Sequence, residues 1–172
     1  MRVHTIGHGA RPVNELVAAL AEAEVETLVD VRRFPSSRRN PQFNRDPLAA
    51  PLHDAGIEYV HAVELGGRRS GEPGEELFSC IGVPAFRSYA ARMRTEVWQA
   101  ALADSLARPA PCFMCAETLW WRCHRSLIAE LLAARGHDVV HLVRPGERRP
   151  HRPSDEAEWR DGKLFLCGQF VG

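Results

Sequence analysis

Thr27-Leu28-Val29-Asp30-Val31 is an apolar run broken by a single carboxylate. An apolar stretch of this length, without polar alternation, suits a strand buried on both faces, as in a parallel sheet covered by helices. Upstream, Val3 to Ile6 is β-prone and runs into Gly7-His8-Gly9. Pro12 can then open a helix on which Val13, Leu16, Val17 and Leu20 recur at helical spacing. Downstream, residues 32–45 are rich in proline, serine and arginine and read as a loop. Residues 46–55 read as a short helix closed by Gly56, and residues 57–63 as a third strand. The glycine-rich, charged stretch 66–82 is expected to be a mobile loop, followed by helices over 84–94 and 95–107, with Thr95 as the second cap. Residues 111–116 form a fourth strand, a helix is expected from near Trp120 to Arg135 with Gly136 ending it, and 138–143 form a fifth strand. Past Arg144 the chain is arginine- and proline-rich, and residues 163–167 are expected to add an edge strand.

The elements alternate as β-α-β-α-β-α-α-β-α-β. That order implies one three-layer α/β domain, its mostly parallel sheet flanked by helices in a Rossmann-like, doubly wound arrangement. A chain of 172 residues suffices for one core, so residues 1–172 read as a single domain, with 143–172 an extension packed on it. The apolar share of 45% and charged share of 26% are those of a globular chain. A formal net charge of zero excludes a molecule-wide basic field, so any anion site must come from local clustering. Of 22 basic residues only Lys163 is a lysine; arginine position therefore informs and arginine number does not. The five cysteines are an odd set behind an N-terminus that reads as a strand, which argues against a secreted disulfide scaffold. No apolar run is long enough to span a bilayer, so the expectation is a cytoplasmic protein with no membrane partner; oligomeric state stays open.

Ligands of open α/β sheets bind at the carboxyl ends of the strands. Four such ends here deliver polar residues: Gly7-His8-Gly9, then Asp30 to Arg38, then Glu64 to Arg68, then Cys115-Ala116-Glu117 with Trp120 to Arg125. Gly7-His8-Gly9 reads equally as a tight turn. Asp30 and Arg32 share a strand face, and a buried carboxylate needs a partner; the pair either fixes the loop or serves a ligand. The loop 32–45 holds five arginines and no acid, with Phe34, Phe43 and Asn44 among them. Such a loop suits a phosphate or a base, and equally a solvated basic face.

The most specific cluster is Cys115, Glu117, Cys123, His124 and Arg125. Cys123 near a helix N-terminus can hold a stabilised thiolate, or simply be a small buried side chain. Glu117 can act as an acid or base. Zinc is an alternative, from Cys112, Cys115, Cys123 and His124, although Cys112 and Cys115 on one strand should face opposite ways. Trp120-Trp121 can wall a pocket or stack on a planar substrate, or pack in the core.

The combination Thr5-Ile6-Gly7-His8, Asp30-Val31-Arg32-x-x-Pro35-x-Ser37-Arg38, Gly56-Ile57-x-Tyr59, Leu65-Gly66-Gly67 and Cys115-x-Glu117-x₅-Cys123-His124-Arg125 resembles the bacterial domain-of-unknown-function family 488 from residue 4 to about 143. The resemblance implies a single α/β domain and brings no settled reaction. It singles out His8, Asp30, Arg32, Ser37, Arg38, Gly66, Gly67, Cys115, Glu117, Cys123, His124 and Arg125.

The expected function is an enzyme, a hydrolase acting on an anionic nucleotide- or nucleic-acid-derived substrate. Arg32, Arg38 and Arg125 would hold the anion and Glu117 would be the acid/base, assisted by His8 or His124. Cys123 or Cys115 would be the nucleophile in a covalent variant. Asp30, Ser37, Gly66, Gly67 and Trp120 complete the expected substrate site. No Gly-x-Gly-x-x-Gly or Walker pattern is present, and no cofactor is expected. The rival readings are a non-catalytic nucleotide or nucleic-acid binding module and a cysteine-based redox or zinc protein.

Overall fold

The computed structural model describes residues 1–172. Strands β1 (Arg2–Gly7), β2 (Thr27–Asp30), β3 (Glu58–His61), β4 (Pro111–Cys115) and β5 (Asp138–Arg144) run parallel, and β6 (Glu147–Pro150) closes one edge antiparallel. Their order across the sheet is β3-β2-β4-β1-β5-β6. Helices α1 (Val13–Glu22) and α2 (Arg45–Asp54) pack on one face; α3 (Pro84–Met93), α4 (Glu96–Leu106) and α5 (Arg125–Ala134) pack on the other. The three layers follow from alternation along the strands. Leu28, Cys112 and Met114 point to the α1/α2 side, while Val29, Val31, Phe113 and Cys115 point to the α3–α5 side. Both faces of β2 and β4 are thus dry; for β2 this is what its apolar run predicts.

Right-handed crossovers explain the sidedness. The chain steps from β1 to β2 to β3 in one direction, with its helices on one face. It then reverses and lays β4 between β2 and β1, so the helices that flank β4 in sequence fall on the opposite face. The connection leaving β4 therefore parts from those leaving β1 and β2, and crevices open on both sides of the β4 carboxyl end.

Three expectations need correction. The helix expected from Trp120 is a short 3₁₀ turn (Trp120–Arg122), an extended Cys123 and only then α5; Trp120 leaves the helical path to stack on the ring of His141, at 4.3 Å. Stretch 66–82 is anchored: Phe78 and Ile81 are buried, residues Glu75–Phe78 make a 3₁₀ turn, and Cys80 is disulfide-bonded to Cys167, with their Cα atoms 5.6 Å apart. Residues Lys163–Leu166 are no edge of the main sheet. They form β8, the middle of a small antiparallel sheet with β7 (Ala157–Arg160) and β9 (Gln169–Phe170). Asp161-Gly162 and Cys167-Gly168, all at positive φ, supply its two-residue turns. Leu164, Leu166 and Val171 then join the core beneath α5. No helix is long and apolar enough to cross a membrane.

Candidate active site

A cleft of about 600 Å³ opens at the carboxyl ends of β1, β2 and β4. His8, Arg32, Ser37, Gly67, Cys115, Glu117, Cys123 and His124 line it together, so segments at the ends of four different strands converge. Asp30, Arg38, Gly66, Trp120 and Arg125 do not line it. The reason differs for each.

Asp30 is fully buried behind the wall. Arg32 grips it with Nε on Oδ1 at 2.9 Å and Nη2 on Oδ2 at 2.6 Å, and the Tyr59 hydroxyl donates to Oδ2 at 2.7 Å. Arg32 also donates to the Phe43 carbonyl, at 2.8 Å, and that pins the arginine loop to the sheet. Of the two readings of this pair, the geometry gives the loop-fixing one: with Asp30 as its partner, Arg32 adds little net charge to the cleft. Arg32 Nη1 lies 3.2 Å from His8 Nε2, and His8 Nδ1 lies 2.8 Å from the Gly9 carbonyl. Arginine can only donate, so Nε2 accepts and Nδ1 carries the proton. Burial pushes the His8 pKa down to about 4 and the ring stacks on Phe43 at 4.4 Å. Both nitrogens are committed, so His8 is a neutral wall residue with no free nitrogen to assist Glu117.

The charge in the cleft comes from other arginines. Arg33, Arg39, Arg68 and Arg122 line it, and none of them forms an ion pair. Glu117 is the one acidic side chain in the lining. Arg39 occupies the place expected of Arg38; no local sequence signal separates the two neighbours. Arg68 and Arg122 are adjacent to expected positions and are brought in by the turns that carry them. Phe34, over which Arg33 lies at 5.3 Å, and Phe86 supply apolar surface.

Glu117 is exposed, and it is its backbone carbonyl, not its carboxylate, that receives Arg125 Nη2 at 2.6 Å. Arg125 itself is buried, with Nε directed at Cys115 Sγ at 3.2 Å; burial lowers its pKa to about 10. It therefore supports the sulfur from behind and does not reach the cleft. Glycines make these approaches possible. A Cβ on Gly7 would fall on the Glu117 carbonyl, and one on Gly67 would lie 2.5 Å from His124 Nδ1. Gly66 passes so close to Arg33 that a Cβ would come within 2.8 Å of its Cα.

Cys123 and His124 form a close thiol–imidazole pair. His124 Nε2 lies 3.0 Å from the Val31 carbonyl and must donate to it, which leaves Nδ1 free to accept; Cys123 Sγ is 3.5 Å from that nitrogen. Burial pushes the His124 pKa down to about 4, so the imidazole is neutral at pH 7. The Cys115 and Cys123 sulfurs touch, but their Cα atoms are 7.7 Å apart, beyond the span of a relaxed disulfide. They stand as two facing thiols. Cys112 lies on the other side of the sheet from Cys115, so the four zinc ligands considered above do not surround one point, and no group of three metal-capable side chains is present.

No curated protein and no solved structure matches the chain. A family model does match, over residues 12–132, a narrower span than the resemblance above but one that includes β2, β4 and every cleft-lining cysteine and histidine except His8. On that match the chain belongs to the family described as "Domain of unknown function DUF488".

Proposed function

We propose that the protein is a cytoplasmic hydrolase of an anionic, nucleotide- or nucleic-acid-derived substrate. One observation carries the reading: arginines without carboxylate partners and a thiol–imidazole pair open onto the same cleft. Arg33, Arg39, Arg68 and Arg122 hold the phosphate groups, where guanidinium forks give charge-assisted hydrogen bonds. The Phe34 and Phe86 rings offer faces for a base. Cys123 passes its proton to His124 Nδ1 and attacks the electrophilic centre of the substrate, forming a covalent bond through sulfur. The leaving group departs with the proton from His124. Water then cleaves the sulfur linkage, Glu117 takes one water proton, and that proton passes on to the departing sulfur to restore the thiol.

The test is a screen of nucleotides and short single-stranded oligonucleotides by thermal shift, followed by mass analysis of products. A ligand is expected to stabilise the wild type, and Arg33→Ala and Arg68→Ala should weaken binding more steeply as salt is lowered. Cys123→Ser should keep binding while turnover falls by about a thousandfold or more. Full turnover by Cys123→Ser would remove Cys123 as the nucleophile, and binding without any product would leave a binding module. Two cysteines on one cleft leave one other reading, dithiol–disulfide exchange, in which closing the bond draws the Cα atoms of Cys115 and Cys123 together from 7.7 Å. Cys115→Ser separates the two: hydrolysis survives it, and exchange does not.

A further inference from the structure

Behind the cleft runs a buried polar chain that the reaction above does not use. Arg125 is 1% exposed and has no carboxylate within 4.0 Å. Besides the Cys115 sulfur and two carbonyls, it donates from Nη1 to the Thr5 hydroxyl at 3.2 Å. Glu130, further along α5, is 2% exposed and lacks an arginine or lysine partner. The Ser154 amide donates to its Oε1 at 2.7 Å and Trp159 Nε1 to its Oε2 at 3.0 Å; His151 Nε2 faces Oε2 at 3.5 Å. A buried cation and a buried carboxylate, each without a direct counterion, are both costly.

Three side chains join them. Thr5 Oγ1 is 2.7 Å from His141 Nδ1, and His141 Nε2 is 3.0 Å from His151 Nδ1. Because a guanidinium only donates, Thr5 accepts from Arg125 and turns its own proton toward His141 Nδ1. His141 then carries its proton on Nε2 and gives it to His151 Nδ1. His151 Nε2 makes no hydrogen bond and faces Glu130 Oε2 at 3.5 Å, within ion-pair range. As far as His151, every donor points the same way, away from the guanidinium. We propose that Glu130 is the remote counterion of Arg125, joined to it through Thr5, His141 and His151, and that this chain is a positioning device that sets the guanidinium beside the cleft sulfurs.

Two further observations agree. Burial, then the charges of His151 and Arg125, push the His141 pKa down to about 3, so this link is a neutral dipole and not a competing cation. The Trp120 ring lies flat on His141, inclined by 10°, which keeps solvent from the middle of the chain. A low local dielectric and mutual polarisation strengthen such networks. The other ionisable groups acting on Arg125 are Arg11, which opposes its charge, and Glu117 and Cys112, which favour it. Around the sulfurs the remaining one is His124.

The inference rests on the reading that the cleft sulfurs react, but its test reads thiolate and not turnover, so either can fail alone. The probe is thiolate absorbance of the reduced protein against pH, with Cys80 and Cys167 replaced by serine. Burial pushes the Cys112 thiol far up, so it stays silent. Glu130→Gln should raise the apparent pKa of the cleft thiols by about one unit, a tenfold loss of thiolate at fixed pH. Thr5→Val severs the chain midway with little change in volume and should give the same rise. The double variant should add nothing further, because one chain is broken twice. Titrations that match the parent in folded variants overturn the proposal, as does a double variant whose shifts add. Should Glu130→Gln fail to fold, Thr5→Val alone decides.

Discussion

Gly67 sits against the face of His124, and the space a methyl group would need is already filled by the imidazole. Gly67→Ala should therefore either push the ring off the Val31 carbonyl or displace the segment 66–68. A cost of about 1–3 kcal/mol is expected, measured by urea unfolding, as for other overpacked sites. Unchanged stability would mean that His124 moves freely, and the fixed tautomer on which the Cys123 pair depends would be lost as an argument. Such dependences were only partly legible in the chain. Cys115, Glu117, Cys123 and His124 could be placed in one site because they follow a single strand. Arg39 could not be told from Arg38, since which arginine turns inward depends on how Asn44 and Ser37 fold the loop: the Ser37 amide donates to Asn44 Oδ1 at 2.5 Å and the Asn40 amide to Ser37 Oγ at 3.0 Å. The His141–His151–Glu130 chain was invisible for the same reason. Its members lie on β5, on the connection after β6 and on α5, and only tertiary packing brings them together.

Among the elements, the small sheet β7-β8-β9 is held by two tight turns, by Leu164 and Leu166 under α5, and by the Cys80–Cys167 bond. The bond closes a loop of 87 residues, which in the chain-entropy account stabilises the fold by about 4.6 kcal/mol when oxidised. Cys80→Ser should lower the melting temperature of oxidised protein and leave reduced protein unchanged; equal melting of both forms under oxidising conditions would mean that the bond does not form. The doubly buried strand β2 could be read from its apolar run, because burial on both faces leaves no room for polar alternation. Asp161-Gly162 is a strong hairpin signal by itself. What it does not say is that the hairpin packs under α5 instead of extending the main sheet. Trp120 shows the opposite competition: a helical stretch yields its first turn to a stacked ring.

Acid should unfold the protein steeply. His8, His124 and His141 have pKa values pushed down to about 4, 4 and 3 by burial, against 6.5 for the free side chain. Each native pKa lies below its unfolded value, so unfolding takes up protons. Their share of stability is fully present above pH 6.5 and is lost as pH falls through 6.5 toward 4. Urea unfolding at a series of pH values should show stability falling with a slope that approaches three protons in that interval. A flat profile there would mean that these rings are solvated. The sheet order carries a different implication, for how the protein is made. β4 occupies the slot between β1 and β2, and it begins only at Pro111. A growing polypeptide that has emerged as far as Ala110 holds its first two strands with a gap between them. β4, which carries Cys115 and leads into Cys123, fills that gap, so the cleft takes shape only once this late segment has left the ribosome.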